Sequence, residues 1–262
     1  MIETAMHENL ILTEEAEWKF IGPRTTFLSR DAILRAVVPL AYQIPGEIIE
    51  FGVADGGSTR VIRGTANKME RFYGVGLKKR IFACDSFEGL SEKYENAEIG
   101  AFACEPPRIS GVEIIKGYFD DSLTEELADR VGQVAFASLD ADLYSSTLCA
   151  LNWLTPLLRS GSLLLFDEFL GEQQSEKRAF EDWSKQTGIK TIQIGYFLRD
   201  PSGWGNDIDA RALYQVVSDE PLHRQIARWN LTARLKKRLR HDPELYEKVR
   251  TIYRRIQNVW RG

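Results

Sequence analysis

The chain has 262 residues, 44% of them hydrophobic and 27% charged, with a net charge of −4. A chain of that length and composition is an ordinary globular one that buries a sizeable core. No apolar run approaches the ~20 residues of a membrane span, and the N-terminus is acidic rather than signal-like. Three cysteines, Cys84, Cys104 and Cys149, lack metal-ligand spacing and read as reduced thiols of a cytoplasmic protein.

Residues 1–44 form an N-terminal segment holding Trp18, Phe20 and a predicted helix from Ser29 to Tyr42, ended before Pro45. A strand from Gly46 to Val53 follows and feeds a tight turn at Gly56-Gly57, after which Ser58 opens a helix. Glycines at such a turn permit positive φ and let a ligand approach the backbone. Alone the turn is a weak signal, because plain strand–helix connections use it too. Its spacing departs from the Gly-x-Gly-x-x-Gly of dinucleotide folds. Glu50 sits two residues before Gly52, where a carboxylate would repel a pyrophosphate but suit a ligand carrying an ammonium and a sulfonium. These details favour S-adenosylmethionine over a nicotinamide dinucleotide.

The second strand, Arg80 to Cys84, ends in Asp85-Ser86-Phe87-Glu88-Gly89-Leu90. An acid at that position can accept from both hydroxyls of a ribose, or can instead cap a turn. The third strand, Val112 to Lys116, ends in Gly117-Tyr118-Phe119, and Phe119 could either cover an adenine or pack inside. The fourth and fifth strands, Phe136–Leu139 and Leu163–Phe166, both stop at acids: Asp140 and Asp142, then Asp167 and Glu168. If these strands are parallel neighbours, Asp140 and Asp167 emerge side by side although 27 positions separate them. Carboxylates that close resist ionising together, and a hard cation such as Mg²⁺ would relieve them. The competing reading has Asp142 and Asp167 as helix caps. Helices are predicted near Ser122–Arg130, Ser145–Leu158 and Ser175–Gln186, a sixth strand at Thr191–Leu198, and a last, antiparallel strand over Arg211–Val217.

Three motifs in this order carry a resemblance: Pro45-Gly46-Glu47 through Gly56-Gly57-Ser58, Asp85 through Leu90, and Leu139-Asp140-Ala141-Asp142-Leu143-Tyr144 before the apolar strand ending in acids. Residues 20–200 are similar to the macrocin O-methyltransferase family, metal-dependent enzymes that methylate sugar hydroxyls. The resemblance implies a Rossmann-like class I methyltransferase, an α/β fold with a seven-stranded, mostly parallel sheet and helices on both faces; the residue patterns at each end add helical appendages. It implies S-adenosylmethionine bound by Thr26, Glu50, Phe51, Gly52, Gly56, Gly57, Ser58, Asp85, Ser86, Phe87, Gly117, Phe119 and Asp140. It also implies Mg²⁺ on Asp140, Asp167 and Glu168, and Asp140 as the catalytic base. The chain departs from the family in having Ala54-Asp55 before the paired glycines and Asp167-Glu168 in place of paired aspartates. The three histidines, His7, His223 and His241, lie away from every predicted strand end, which leaves the proton to a carboxylate.

The organisation that follows is an N-terminal segment (1–44), a cofactor-binding domain (45–220) and a tail (221–262). The tail carries 12 Lys/Arg against 3 Asp/Glu, a net of +9 that leaves −13 on the rest. Its apolar residues read as two amphipathic helices broken near Pro243. Packing on the body or on a second subunit of a homo-oligomer, contact with a membrane surface or lipid-linked glycan, and binding of nucleic acid all remain open, the last the least expected. The sequence thus points to an O-methyltransferase acting on a small-molecule or glycan acceptor. The alternatives are a metal-free small-molecule methyltransferase and an inactive module that binds through its basic tail.

Overall fold

Residues 29–73, 78–94, 96–169, 173–198 and 210–217 are described by the structure, a computed structural model. The chain divides into two units, Met1–Asp219 and Glu220–Gly262, and all described residues belong to the first. Thr26, the loop 199–209 and the predicted tail helices lie outside the described residues.

Helix α1 spans Arg30–Ala41 and is capped by Ser29, whose hydroxyl accepts from the backbone N–H of Ala32. Strand β1 (Glu47–Phe51) leads into helix α2 (Gly57–Tyr73), followed by β2 (Ile81–Asp85) and β3 (Glu113–Lys116). Two short helices, α3 (Phe119–Ser122) and α4 (Glu125–Val131), precede β4 (Val134–Leu139). Helix α5 (Tyr144–Leu154) runs on as a 3₁₀ turn to Leu157 and precedes β5 (Leu163–Phe166). Helix α6 (Ser175–Thr187) and strands β6 (Lys190–Leu198) and β7 (Ala210–Val217) complete the order.

The sheet runs β3-β2-β1-β4-β5-β7-β6. The first five in that order are parallel, and β7 is inserted between β5 and β6, antiparallel to both. This is the predicted seven-stranded, mostly parallel, Rossmann-like sheet. Strands β4 and β5 are buried along their whole length, as strands covered on both faces must be.

Strand alternation decides which face each side chain joins. Ile48 joins Ile81, Phe136 and Leu165 in one apolar cluster with Ile33, Leu34 and Val37 of α1 and Ile62 of α2. Phe51 faces the opposite way, with its ring 6.2 Å from that of Trp153 on α5. On that second face Phe166 meets Phe180 of α6 at 5.2 Å. Trp183 of α6 is fully buried, and its indole N–H donates to Thr155 at 2.9 Å, so the largest core side chain leaves no polar atom unpaired.

The strand order reverses between β1 and β4, which opens a crevice beyond their carboxyl ends. The glycines that the sequence singles out differ in conformation. Gly52 (φ +83°) and Gly56 (φ +82°) have left-handed backbones, whereas Gly57 does not. A Cβ on Gly52 would lie 1.7 Å from the carbonyl oxygen of Asp140, a collision with backbone. A Cβ on Gly57 would meet nothing nearer than 3.4 Å, because Gly57 is already the first residue of α2.

Gly52→Ala is therefore expected to destabilise the fold by about 3 kcal/mol, combining positive-φ strain with a backbone clash. Gly57→Ala should stay within about 0.5 kcal/mol of wild type. Urea unfolding of the two variants compares them directly, and equal stabilities would refute the assignment.

Candidate active site

A cleft of about 350 Å³ opens over the carboxyl ends of β1, β2, β4 and β5, within the size range of small-ligand sites. Gly52, Asp85, Ser86, Phe119, Asp140, Asp167 and Glu168 line it, so this part of the predicted site comes together in space. Glu50, Phe51, Gly56, Gly57, Ser58, Phe87 and Gly117 do not line it.

Glu50 shares the face of Ile48, so its side chain points beneath the turn toward α2, not into the cleft. Its carboxylate accepts from the Thr59 hydroxyl, and only 1% of the residue is exposed. Burial pushes its pKa up to about 7, against hydrogen bonds from Thr59 and Ser58 that favour the charged form. Phe51 and Phe119 meet edge to face at 5.5 Å, so Phe119 packs on the core while also lining the cleft.

Asp85 organises the turn. One carboxylate oxygen accepts from the backbone N–H groups of Val53 (2.7 Å) and Ala54 (2.9 Å), the other from that of Phe87 (2.8 Å). These bonds fix the β1 turn against the β2 loop. A carboxylate has about four lone-pair sites, so acceptance from a ribose hydroxyl is still available at the cleft surface.

Strands β4 and β5 are parallel neighbours with Leu139 opposite Phe166, and so Asp140 and Asp167 do emerge side by side. Neither Asp142 nor Asp167 is a helix cap: Leu143 precedes α5 and Gln174 precedes α6, each without a side-chain cap bond. Asp167 instead forms a two-point ion pair with Arg211 of β7, through Nε to Oδ1 and through Nη2 to Oδ2 at 3.1 Å. Both side chains are nearly buried, 6% and 11% exposed. Asp140 receives Nη1 of Arg30 at 3.0 Å. Burial, together with the nearby charges of Asp167 and Asp142, raises the proton affinity of Asp140 well above the usual carboxylate range, while Arg30 opposes the shift. Glu168 accepts from the Tyr94 hydroxyl at 3.1 Å.

Sequence reasoning missed three charged residues here. Arg30 and Arg211 neutralise the two strand-end aspartates. The signal for Arg211 was an arginine at the start of an apolar strand, which cannot be buried without a partner. The third is Glu176, in the first turn of α6 and without measurable exposure. Its two oxygens accept from the backbone N–H groups of Ala141 (3.1 Å) and Glu168 (3.0 Å), joining the loops that carry the acids. Burial, then Asp140 and Asp167, raise its pKa against those two bonds.

The acids are the hard oxygen donors that Mg²⁺ takes, but their arrangement does not fit a cation as it stands. Both oxygens of Asp167 are held by Arg211. Among the described residues no group of three or more His, Cys, Asp or Glu side chains is disposed to hold a metal ion.

This sheet order and the crevice at its switch point are those of the Rossmann-like, class I methyltransferase fold. Residues 49–169 match the family model described as a methyltransferase domain. A curated relative, the 8-demethyl-8-(2,3-dimethoxy-alpha-L-rhamnosyl)-tetracenomycin-C 4'-O-methyltransferase of Streptomyces olivaceus, is 30% identical over 152 residues, covering 50% of this chain. The match spans 55% of that relative, so the chain covers about half the length of the curated protein it resembles. Among solved structures, the O-methyltransferase NovP superposes with a TM-score of 0.56 at 19% identity, over 72% of this chain and 80% of that one. The calicheamicin methyltransferase CalS11 gives 0.52 at 20% identity, over 79% and 82%. At those identities the structures share the fold. The relatives carry the O-methyltransferase names that the sequence resemblance leads one to expect.

Two outcomes follow from the buried charges. Asp167→Asn leaves Arg211 buried without its counter-ion and should cost about 3–5 kcal/mol in urea unfolding. Replacing both residues by apolar ones, as Asp167→Leu with Arg211→Met, should cost less than either single change, and simple additivity would contradict the pairing. Glu50 binds a proton more tightly folded than unfolded, so its contribution is complete below pH ~4.5 and is lost as pH rises toward 7. Glu50→Gln should remove that loss, worth about 3 kcal/mol. Melting curves between pH 5 and pH 8 should show the wild type falling behind the variant as pH increases.

Proposed function

We propose that this protein is an S-adenosylmethionine-dependent O-methyltransferase whose acceptor is a hydroxyl of a sugar, on a glycosylated natural product or a related glycan. The observation that carries the reading is the position of Asp140. It stands at the switch point of the sheet, beside the Gly52 turn and in the same cleft as Asp85, with its proton affinity raised toward the working range of a general base. The curated relative methylates a rhamnosyl group according to its name. Phe102 and Tyr118 line the same cleft and are 65% and 36% exposed, offering apolar faces for the acceptor to pack against.

In this reading the adenosine end lies over Asp85 and Phe119, and the amino-acid end lies over the Gly52 turn. The acceptor enters from the side of Glu168 and Leu143. Its oxygen attacks the sulfonium methyl in line, so that a C–O bond forms as the C–S bond breaks. The hydroxyl proton passes to a carboxylate oxygen of Asp140, and S-adenosylhomocysteine and the methyl ether leave. Glu176 fixes the backbone on both sides of this site, holding Asp140 and Glu168 in register.

Magnesium, which the sequence resemblance implies, is not required in this reading. Asp140, Asp167 and Glu168 would be the residues to hold it, and it would lower the pKa of a bound hydroxyl. Arg30 and Arg211 already supply two positive charges to the same acids, and no step is routed through a metal.

The test is turnover on L-rhamnosides and related glycosides, with S-adenosylhomocysteine as the product measured. Asp140→Asn should reduce turnover by about 10²–10⁴-fold and leave S-adenosylmethionine affinity within a few fold. Parallel loss of both would make Asp140 a cofactor residue, and no transfer to any glycoside would refute the acceptor class. Turnover should persist in EDTA; a strict Mg²⁺ requirement would show that Arg211 yields Asp167 to the ion.

A further inference from the structure

Six carboxylates line the cleft: Asp55, Asp85, Asp140, Asp142, Asp167 and Glu168. Among the described residues lining it, one cation faces them, Arg30. Arg30 is the first residue of α1, with its side chain 38% exposed, and its Nη1 donates to Asp140. A Cβ built on Gly57 would lie 3.7 Å from its Nη2, which places the guanidinium beside the N-terminal turn of α2. We propose that Arg30 binds the carboxylate at the amino-acid end of the cofactor. The proposal rests on the reading of this cleft as an S-adenosylmethionine site.

The charge pattern carries the argument. S-adenosylmethionine brings an ammonium, a sulfonium and one carboxylate. The two cationic groups are welcome anywhere in a cleft lined by acids, but the carboxylate is repelled along nearly all of it. Arg30 is the place along the cleft where a positive side chain comes forward, beside the N-terminal turn of α2, whose first N–H, that of Gly57, donates to Asp55. As the cation among the described residues that line the cleft, Arg30 favours the orientation with the ligand carboxylate toward it and the adenosine toward Asp85.

Geometry adds to this. A guanidinium presents five N–H donors in a planar fork that matches a carboxylate with two parallel bonds. The bond to Asp140 uses one of them. Arg30 can therefore hold Asp140 and the ligand at once, tying the position of the amino-acid end to that of the candidate base.

Calorimetry with S-adenosylhomocysteine and with its decarboxylated analogue, S-adenosyl-3-thiopropylamine, tests this without an acceptor. Arg30→Gln should weaken S-adenosylhomocysteine by about 10–100-fold, the range for a charge-assisted bidentate bond, and should change the decarboxylated analogue by less than about threefold. Arg30→Lys, which keeps the charge and loses the fork, should fall between wild type and Arg30→Gln for the carboxylate ligand. Equal losses for the two ligands would overturn the proposal, since Arg30 would then act through the fold or through Asp140. Unchanged affinity for S-adenosylhomocysteine in Arg30→Gln would overturn it as well. If the wild type bound neither ligand, the cofactor reading itself would fall and take the proposal with it. Binding by the wild type with no dependence on Arg30 would remove the proposal alone.

Discussion

Carboxylates crowd the space beyond β1, β4 and β5, and the way they are neutralised governs the site. Arg211 closes on Asp167 and Arg30 on Asp140, while Glu176 takes two backbone N–H groups. Each of these compensations crosses between elements. Arg211 comes from β7, Arg30 from α1 and Glu176 from α6, so assembling the sheet and balancing its charge are one event. A buried ion pair of this kind adds little net stability over an apolar substitute, but breaking one half of it is costly. What it contributes is a fixed position for acids that would otherwise repel each other.

The same economy of groups is visible at Asp85. Its carboxylate holds the β1 turn through Val53 and Ala54 and its own loop through Phe87, so the edge of the cleft is drawn by one side chain. Gly52 completes that edge by letting the backbone of β1 come against the carbonyl of Asp140. Neither feature depends on a ligand. The edge of the cleft is thus held by bonds and contacts within the protein itself.

The strands and the acids at their ends were legible from sequence because both signals are local. Apolar runs such as Leu163–Phe166 stop abruptly at charge, and adjacency of β4 and β5 then brings Asp140 to Asp167. Phe119 was left between two roles, and it serves both as packing for Phe51 and as cleft wall. Glu50 was misplaced because proximity in sequence to the turn was read as proximity in space; two residues back along a strand, alternation sends the side chain to the α2 face. Gly57 was over-weighted for a related reason, since a paired glycine does not reveal which of the two has positive φ. The partners of Arg30, Arg211 and Glu176 are illegible in the sequence because they lie 110, 44 and 35 residues away, distances that no spacing rule spans.

The insertion of β7 between β5 and β6 has an architectural outcome. An antiparallel strand begins where its parallel neighbour ends, so Ala210 and Arg211 start at the carboxyl end of β5, and Leu198 of β6 is paired with Ala210 at that same rim. The topology therefore draws the two sides of the cleft differently: the β1–β2 side within parallel strands, and the β5–β7 side with an antiparallel strand that carries Arg211 to Asp167.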